Sequence, residues 1–138
     1  MKGAAMTMRG ALLALCLLVP ASAQAADSDW TETLKHWLTL VDKAQYGDSW
    51  GTAGTLLRSQ ITQKDWTARV GKVRAPLGAM TKRSVLDQKY VTSLPGLPDA
   101  DYEIVRFNTV FQNKPAAVET VILQREDKGW KVDGYFVK

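Results

Sequence analysis

The chain has 138 residues, with 18 Lys and Arg against 14 Asp and Glu, a single His and a single Cys, for a formal net charge of +4. That length fits one domain with one core. So few soft ligands exclude the usual zinc sites, and neither a Gly-rich phosphate loop nor a G-x-S-x-G elbow occurs, so no metal and no cofactor is expected.

In chain order the first feature is a leader. Lys2 and Arg9 precede an apolar run from Ala11 to Val19, then Pro20 and small residues ending Ala23-Gln24-Ala25. This is the three-part layout of a secretory signal peptide, with cleavage expected after Ala25 or Ala23. The apolar run of nine residues is too short to cross a bilayer. A lipoprotein would need Cys16 as its acylated first residue, and the bulky Leu15 before it argues against that processing. The expectation is an exported, periplasmic domain over residues 26–138, with no transmembrane segment after processing. Removing the leader takes away Lys2, Arg9 and Cys16, which leaves a net charge of +2 and no thiol. The domain must then rely on its core rather than on disulfides. Export and the small residual charge both argue against a nucleic-acid partner.

The next third is helical in pattern. Asp29 with Glu32 three residues on forms a capping-box-like start, and Trp30, Leu34, Trp37, Leu38, Val41 and Ala44 recur on one helix face. This predicts a first helix to about Ala44. A second helix is expected from Trp50 to Ile61, weakened by Gly51 and Gly54. Thr62 with Asp65 marks a third start, and Trp66, Val70, Val73 and Leu77 continue the face until Pro76 and Gly78 stop it.

From Met80 onward the pattern alternates. One long extended stretch to about Leu94, bent or bulged in the middle, precedes a turn at Pro95, Gly96 and Pro98. Three strands are then expected, over 102–111, 117–125 and 130–137. If Phe111 faces Ala116 and Glu126 faces Trp130, alternation gives a core face of Val105, Phe107, Phe111, Val118, Ile122, Trp130, Val132 and Phe136. The other face then holds a polar cluster of Arg106, Asn108, Glu119 and Tyr135 beside Tyr102, Ile104, Val121 and Leu123. Two readings of that mixed face stand side by side: a solvated charge ladder, or a surface covered by a second copy in a homodimer.

The resulting fold class is α+β: two or three N-terminal helices packed on one face of a curved four-stranded antiparallel sheet. The order of helices and then a sheet ending in "GWKVDGYFVK" resembles the cone-shaped nuclear-transport-factor-2-like (NTF2-like) fold and its cystatin-like relatives. More closely, "WLTLVDKAQYGDSW", "DWTARVGKVRAPLGAMTKRS", "SLPGLPDADYEIVRFNTVF" and "KPAAVETVILQREDKGWKVDGYF" resemble the exported bacterial family known as domain of unknown function 4019, DUF4019. The resemblance implies a secreted or envelope-anchored domain with no assigned activity.

Candidate chemistry is sparse. Asp42 and Tyr46 are four residues apart near the end of the first helix and could flank a pocket mouth as an acid–base pair, or serve as a cap and a surface group. His36 falls off the apolar stripe and reads as a solvated residue. Between Lys64 and Lys89 seven cations face two acids, a local balance of +5. Within this run Arg74, Arg83, Lys72 and Lys82 are candidates for binding an anionic envelope ligand, since arginine suits carboxylate and phosphate. The alternative is structural, with Arg74 bonding the free carbonyls at its own helix end. Two functions follow: a non-enzymatic exported module that binds a ligand or a protein, or a small lyase- or isomerase-type pocket enzyme. A ligand-sized cavity converging on Asp42 would favour the enzyme, and a filled cone the binding module.

Overall fold

The computed structural model describes the backbone of residues 24–138 and side chains from Trp30 onward. The expected leader therefore lies, but for its last two residues, outside the described residues. Helix α1 (Gln24–Asp42) begins ahead of the expected Asp29 cap and ends two residues before Ala44, which is exposed in the turn beyond it; of the predicted stripe it buries Leu34, Trp37, Leu38 and Val41. His36 is exposed on its far side.

The single second helix expected over 50–61 is two short ones, α2 (Tyr46–Gly51) and α3 (Thr55–Gln60). Gly54 explains the break. Its N–H bonds to the Val132 carbonyl at 2.8 Å, and a Cβ at this position would stand 2.2 Å from Asp133 Oδ1. The missing side chain lets Asp133 reach the Leu57 N–H at 3.1 Å, while Glu126 accepts from the Thr55 N–H at 2.6 Å. Two carboxylates from the sheet thus hold the first turn of α3, where free N–H groups point outward.

Helix α4 (Gln63–Arg74) starts as predicted, with the Thr62 hydroxyl accepting from Asp65 N at 3.1 Å. It buries Trp66, Val70 and Arg74, then tightens into a 3-10 turn over Ala75–Leu77 around Pro76. Gly78 follows at φ 73°, the left-handed stop expected there.

The sheet is an antiparallel meander of β1 (Met80–Val91), β2 (Tyr102–Phe111), β3 (Lys114–Glu126) and β4 (Gly129–Val137), in that spatial order. β1 is irregular between Met80 and Lys82 and between Val85 and Asp87, in keeping with its expected bend. The helices lie on one curved face: α1 packs against β4 and β3, α3 against β4, and α2 and α4 against each other. β1 therefore overhangs the helical layer and stays largely exposed. Among the described residues no helix is long and apolar enough to cross a membrane.

The expected register of β3 is wrong by one residue. Phe111 faces Lys114, not Ala116, across a tight turn at Gln112 and Asn113, and the ladder slips between Thr109 and Phe111. Because side chains alternate, one residue of slip exchanges the faces of the whole strand. Ala117, Glu119, Val121 and Leu123 are buried, while Val118 and Ile122 lie on the outer face. On β4 a second slip, opposite Ile122 and Leu123, turns Tyr135 inward and leaves Phe136 55% exposed.

Candidate functional site

Five charged or hydroxylated side chains from five elements meet beneath the helices. Asp42 is the last residue of α1 and Arg74 the last of α4; Arg83, Glu119 and Tyr135 are inward positions of β1, β3 and β4. Arg83 is the hub. Its Nη1 and Nη2 fork onto Asp42 at 2.7 and 2.8 Å, and its Nε and Nη2 fork onto Glu119 at 2.7 and 3.2 Å. Arg74 donates to Asp42 at 3.0 Å and to the Tyr135 hydroxyl at 3.3 Å. Glu119, fully buried, also accepts from Thr109 Oγ1 at 2.6 Å and from the Tyr135 hydroxyl. Below the cations lie Phe111, 4.8 Å from Arg74, and Phe107, 5.9 Å from Arg83, both near ring faces that favour a cation.

Two guanidiniums against two carboxylates leave the cluster neutral. Burial alone would raise the Asp42 pKa, but the bonds and charges of Arg83 and Arg74 outweigh it and hold the carboxyl below its ordinary range. Burial, then the Glu119 charge, push the Tyr135 hydroxyl far above its ordinary value, so it stays protonated. Arg83 remains charged because its two carboxylates overcome the penalty of burial. Trp37 packs edge-on against Tyr135, with ring centroids 5.3 Å apart, and closes the cluster from the α1 side.

Beside the cluster runs an open groove of about 410 Å³, formed because β1 overhangs α1. Leu34, Leu38, Val85, Val105 and Phe107 line it, Asp42 and Arg83 end it, and Trp30 stands at its side. The Trp30 indole Nε1 is buried without a hydrogen-bond partner.

The residues singled out from the sequence divide accordingly. Asp42, Arg74, Arg83, Glu119 and Tyr135 come together. Tyr46 does not join them: it packs on the core beside Gly71 of α4. Lys72 is exposed on α4, and Lys82, next to Arg83 on β1, points to the opposite face. The four cations of the anion-binding reading therefore do not converge, and the two arginines already hold carboxylates of the chain itself. Nor does Arg74 turn to the carbonyls of its helix end, since its bonds run to Asp42 and Tyr135. The expected sheet-face cluster is split by the β3 register: Arg106 forks onto Asp87 of β1 and Asn108 is exposed, both outside, while Glu119 and Tyr135 are inside. Thr109 was not singled out, because its role appears only once β2 is paired with β3.

The model of a family described as a protein of unknown function, DUF4019, matches residues 33–135. The chain belongs to DUF4019. Every member of the ion cluster falls inside the matched segment of this DUF4019 chain. Among curated proteins no sequence match is found.

Proposed function

We propose that this DUF4019 chain is an exported, non-enzymatic binding domain, and that its ligand lies in the groove between α1 and the β1–β2 edge. The observation that carries the reading is the state of Asp42. It lies at the end of a ligand-sized groove, as an acid–base enzyme would require, yet its oxygens accept three bonds from two guanidiniums. A carboxylate held ionised in this way is a weak base at any working pH, since efficient proton transfer needs a pKa near that pH. Tyr135 is too weak an acid to complement it. The cluster is better read as a scaffold that fixes α1 and α4 against the sheet and so sets the groove walls.

The lining defines the ligand class. A mostly apolar wall that ends at the Asp42–Arg83 pair suits a small apolar molecule. Native mass spectrometry of the protein released from its own exported fraction should retain a small mass that Val85→Asp removes. Val85 is 62% exposed on an edge strand, so this change should leave the melting temperature unaltered. A bare parent protein, or a mass retained equally by Val85→Asp, would overturn the assignment. The same spectra report whether two copies associate.

A further inference from the structure

The two edges of the sheet differ in how they meet solvent. The β1 edge is broken by two irregularities and carries Lys82 and Lys89, devices that discourage a further strand from pairing. The β4 edge runs without a break from Gly134 to its end. Its hydrogen-bond phase is set by Lys138, which exchanges both backbone bonds with Val118 at 3.0 and 2.9 Å. In an antiparallel ladder such pairs alternate with pairs whose N–H and C=O groups point away. Tyr135 and Val137 therefore aim their backbone groups at the free edge, where among the described residues no other element bonds them.

That edge borders a groove of about 520 Å³ between β4 and helices α3 and α4. Trp66, Val70 and Ile61 give it an apolar wall, with Val73, 42% exposed, and Phe136 at its mouth. Arg69 stands in the lining without an acidic partner, and the acid there, Asp133, is turned to Leu57 N–H. A strand edge with unpaired groups, an apolar trough and one unneutralised arginine form the parts of a strand-addition site. We propose that the β4 edge takes an extended segment of another protein as a fifth strand, with apolar side chains in the trough and an acidic side chain at Arg69. A second copy of this chain fits less well, because it would bring a second Arg69 to the edge and no free acid to meet the first. The site is separate from the α1–β1 groove and does not depend on what binds there.

Titration calorimetry of the purified chain with a capped heptapeptide that carries valine, valine and glutamate at its second, fourth and sixth positions and threonine elsewhere tests the proposal, because alternate positions share the trough face; the counterpart has lysine in place of the glutamate. The glutamate peptide should bind and the lysine peptide should not. Arg69→Glu should weaken binding at least tenfold. Val137→Pro should abolish it at little cost to folding, because the N–H it removes points away from β3. A glutamate peptide N-methylated at alternate residues cannot complete the ladder, and should fail to bind the unaltered protein. Binding by the N-methylated peptide, equal binding of both charges, or no binding at all would each overturn the proposal. So would a dimer of the parent chain that Val137→Pro dissolves, which would give the edge to a second copy.

Discussion

The inner and outer faces of the sheet each hold an arginine forked onto carboxylate. On the inner face Arg83, 11% exposed, grips Asp42 and the fully buried Glu119. On the outer face Arg106, 48% exposed, grips Asp87, which is 44% exposed. The bonds are alike in kind and unlike in consequence. Water can replace a lost partner outside, whereas inside the remaining charge has nowhere to turn. The inner cluster ties together α1, α4, β1, β3 and β4, so its integrity is a matter of architecture; the outer pair joins two strands that are already paired.

The largest effect should come from the inner face. Glu119→Gln keeps the shape of the side chain but leaves two guanidiniums sharing Asp42 alone. Breaking a buried ion set in this way costs about 3–5 kcal/mol, because a charge stays buried without its counterpart. Urea unfolding should show that loss as a lower midpoint with an unchanged slope. A loss under about 1 kcal/mol, the range of exposed pairs, would mean that water reaches Arg83 and Arg74 and that the contrast between the faces is false.

How far this was legible in the sequence depends on the range of the contact. The α1 stripe, the Thr62 cap and the Pro76–Gly78 stop are local, and were read from spacing alone. So was the order of helices and strands. The register of β3 was not, because both phases of "AAVETVIL" contain β-branched aliphatics, and the choice between them rests on one residue in the preceding turn. A turn two residues longer, with no slip at Val110, puts Glu119 on the wrong face. Asp42, Arg74 and Arg83 could each be singled out, but as a base and two free cations, since nothing local shows that they neutralise one another. Their partners lie 32 and 41 residues apart along the chain. Gly54 gave a clear local signal, a poor helix former, whose cause was the distant Asp133.

A smaller effect should follow from Tyr135. Its folded pKa lies above the ordinary value of 10.0, so below that pH both folded and unfolded states hold the proton and its contribution is complete. As pH rises past 10 the unfolded chain releases the proton while the folded chain keeps it, and stability must fall. Tyr135→Phe removes a bond to a buried carboxylate and should cost about 1–2 kcal/mol at neutral pH. It should also flatten the decline measured above pH 10, leaving only the share of Tyr90 and Tyr102, whose pKa values are raised too. An alkaline limb as steep in Tyr135→Phe as in the parent would show that the hydroxyl ionises within the fold, and that the cluster is open to solvent.

The smallest effect belongs to the outer pair, and it bears on the solution state of the molecule. Asp87→Asn and Arg106→Gln should each leave the urea midpoint where it is, with or without added salt, because exposed ion pairs contribute little that can be measured. The outer face also carries the partly buried Ile104 and Ile122 and the half-exposed Phe136. If that face were covered in solution, the Arg106–Asp87 pair would be desolvated with it. Its loss would then be felt as the inner face feels the loss of Glu119, and the penalty would grow with protein concentration if the cover were a second copy. An unchanged midpoint at every concentration keeps the two faces distinct, with architecture carried by the inner one and solvent on the outer.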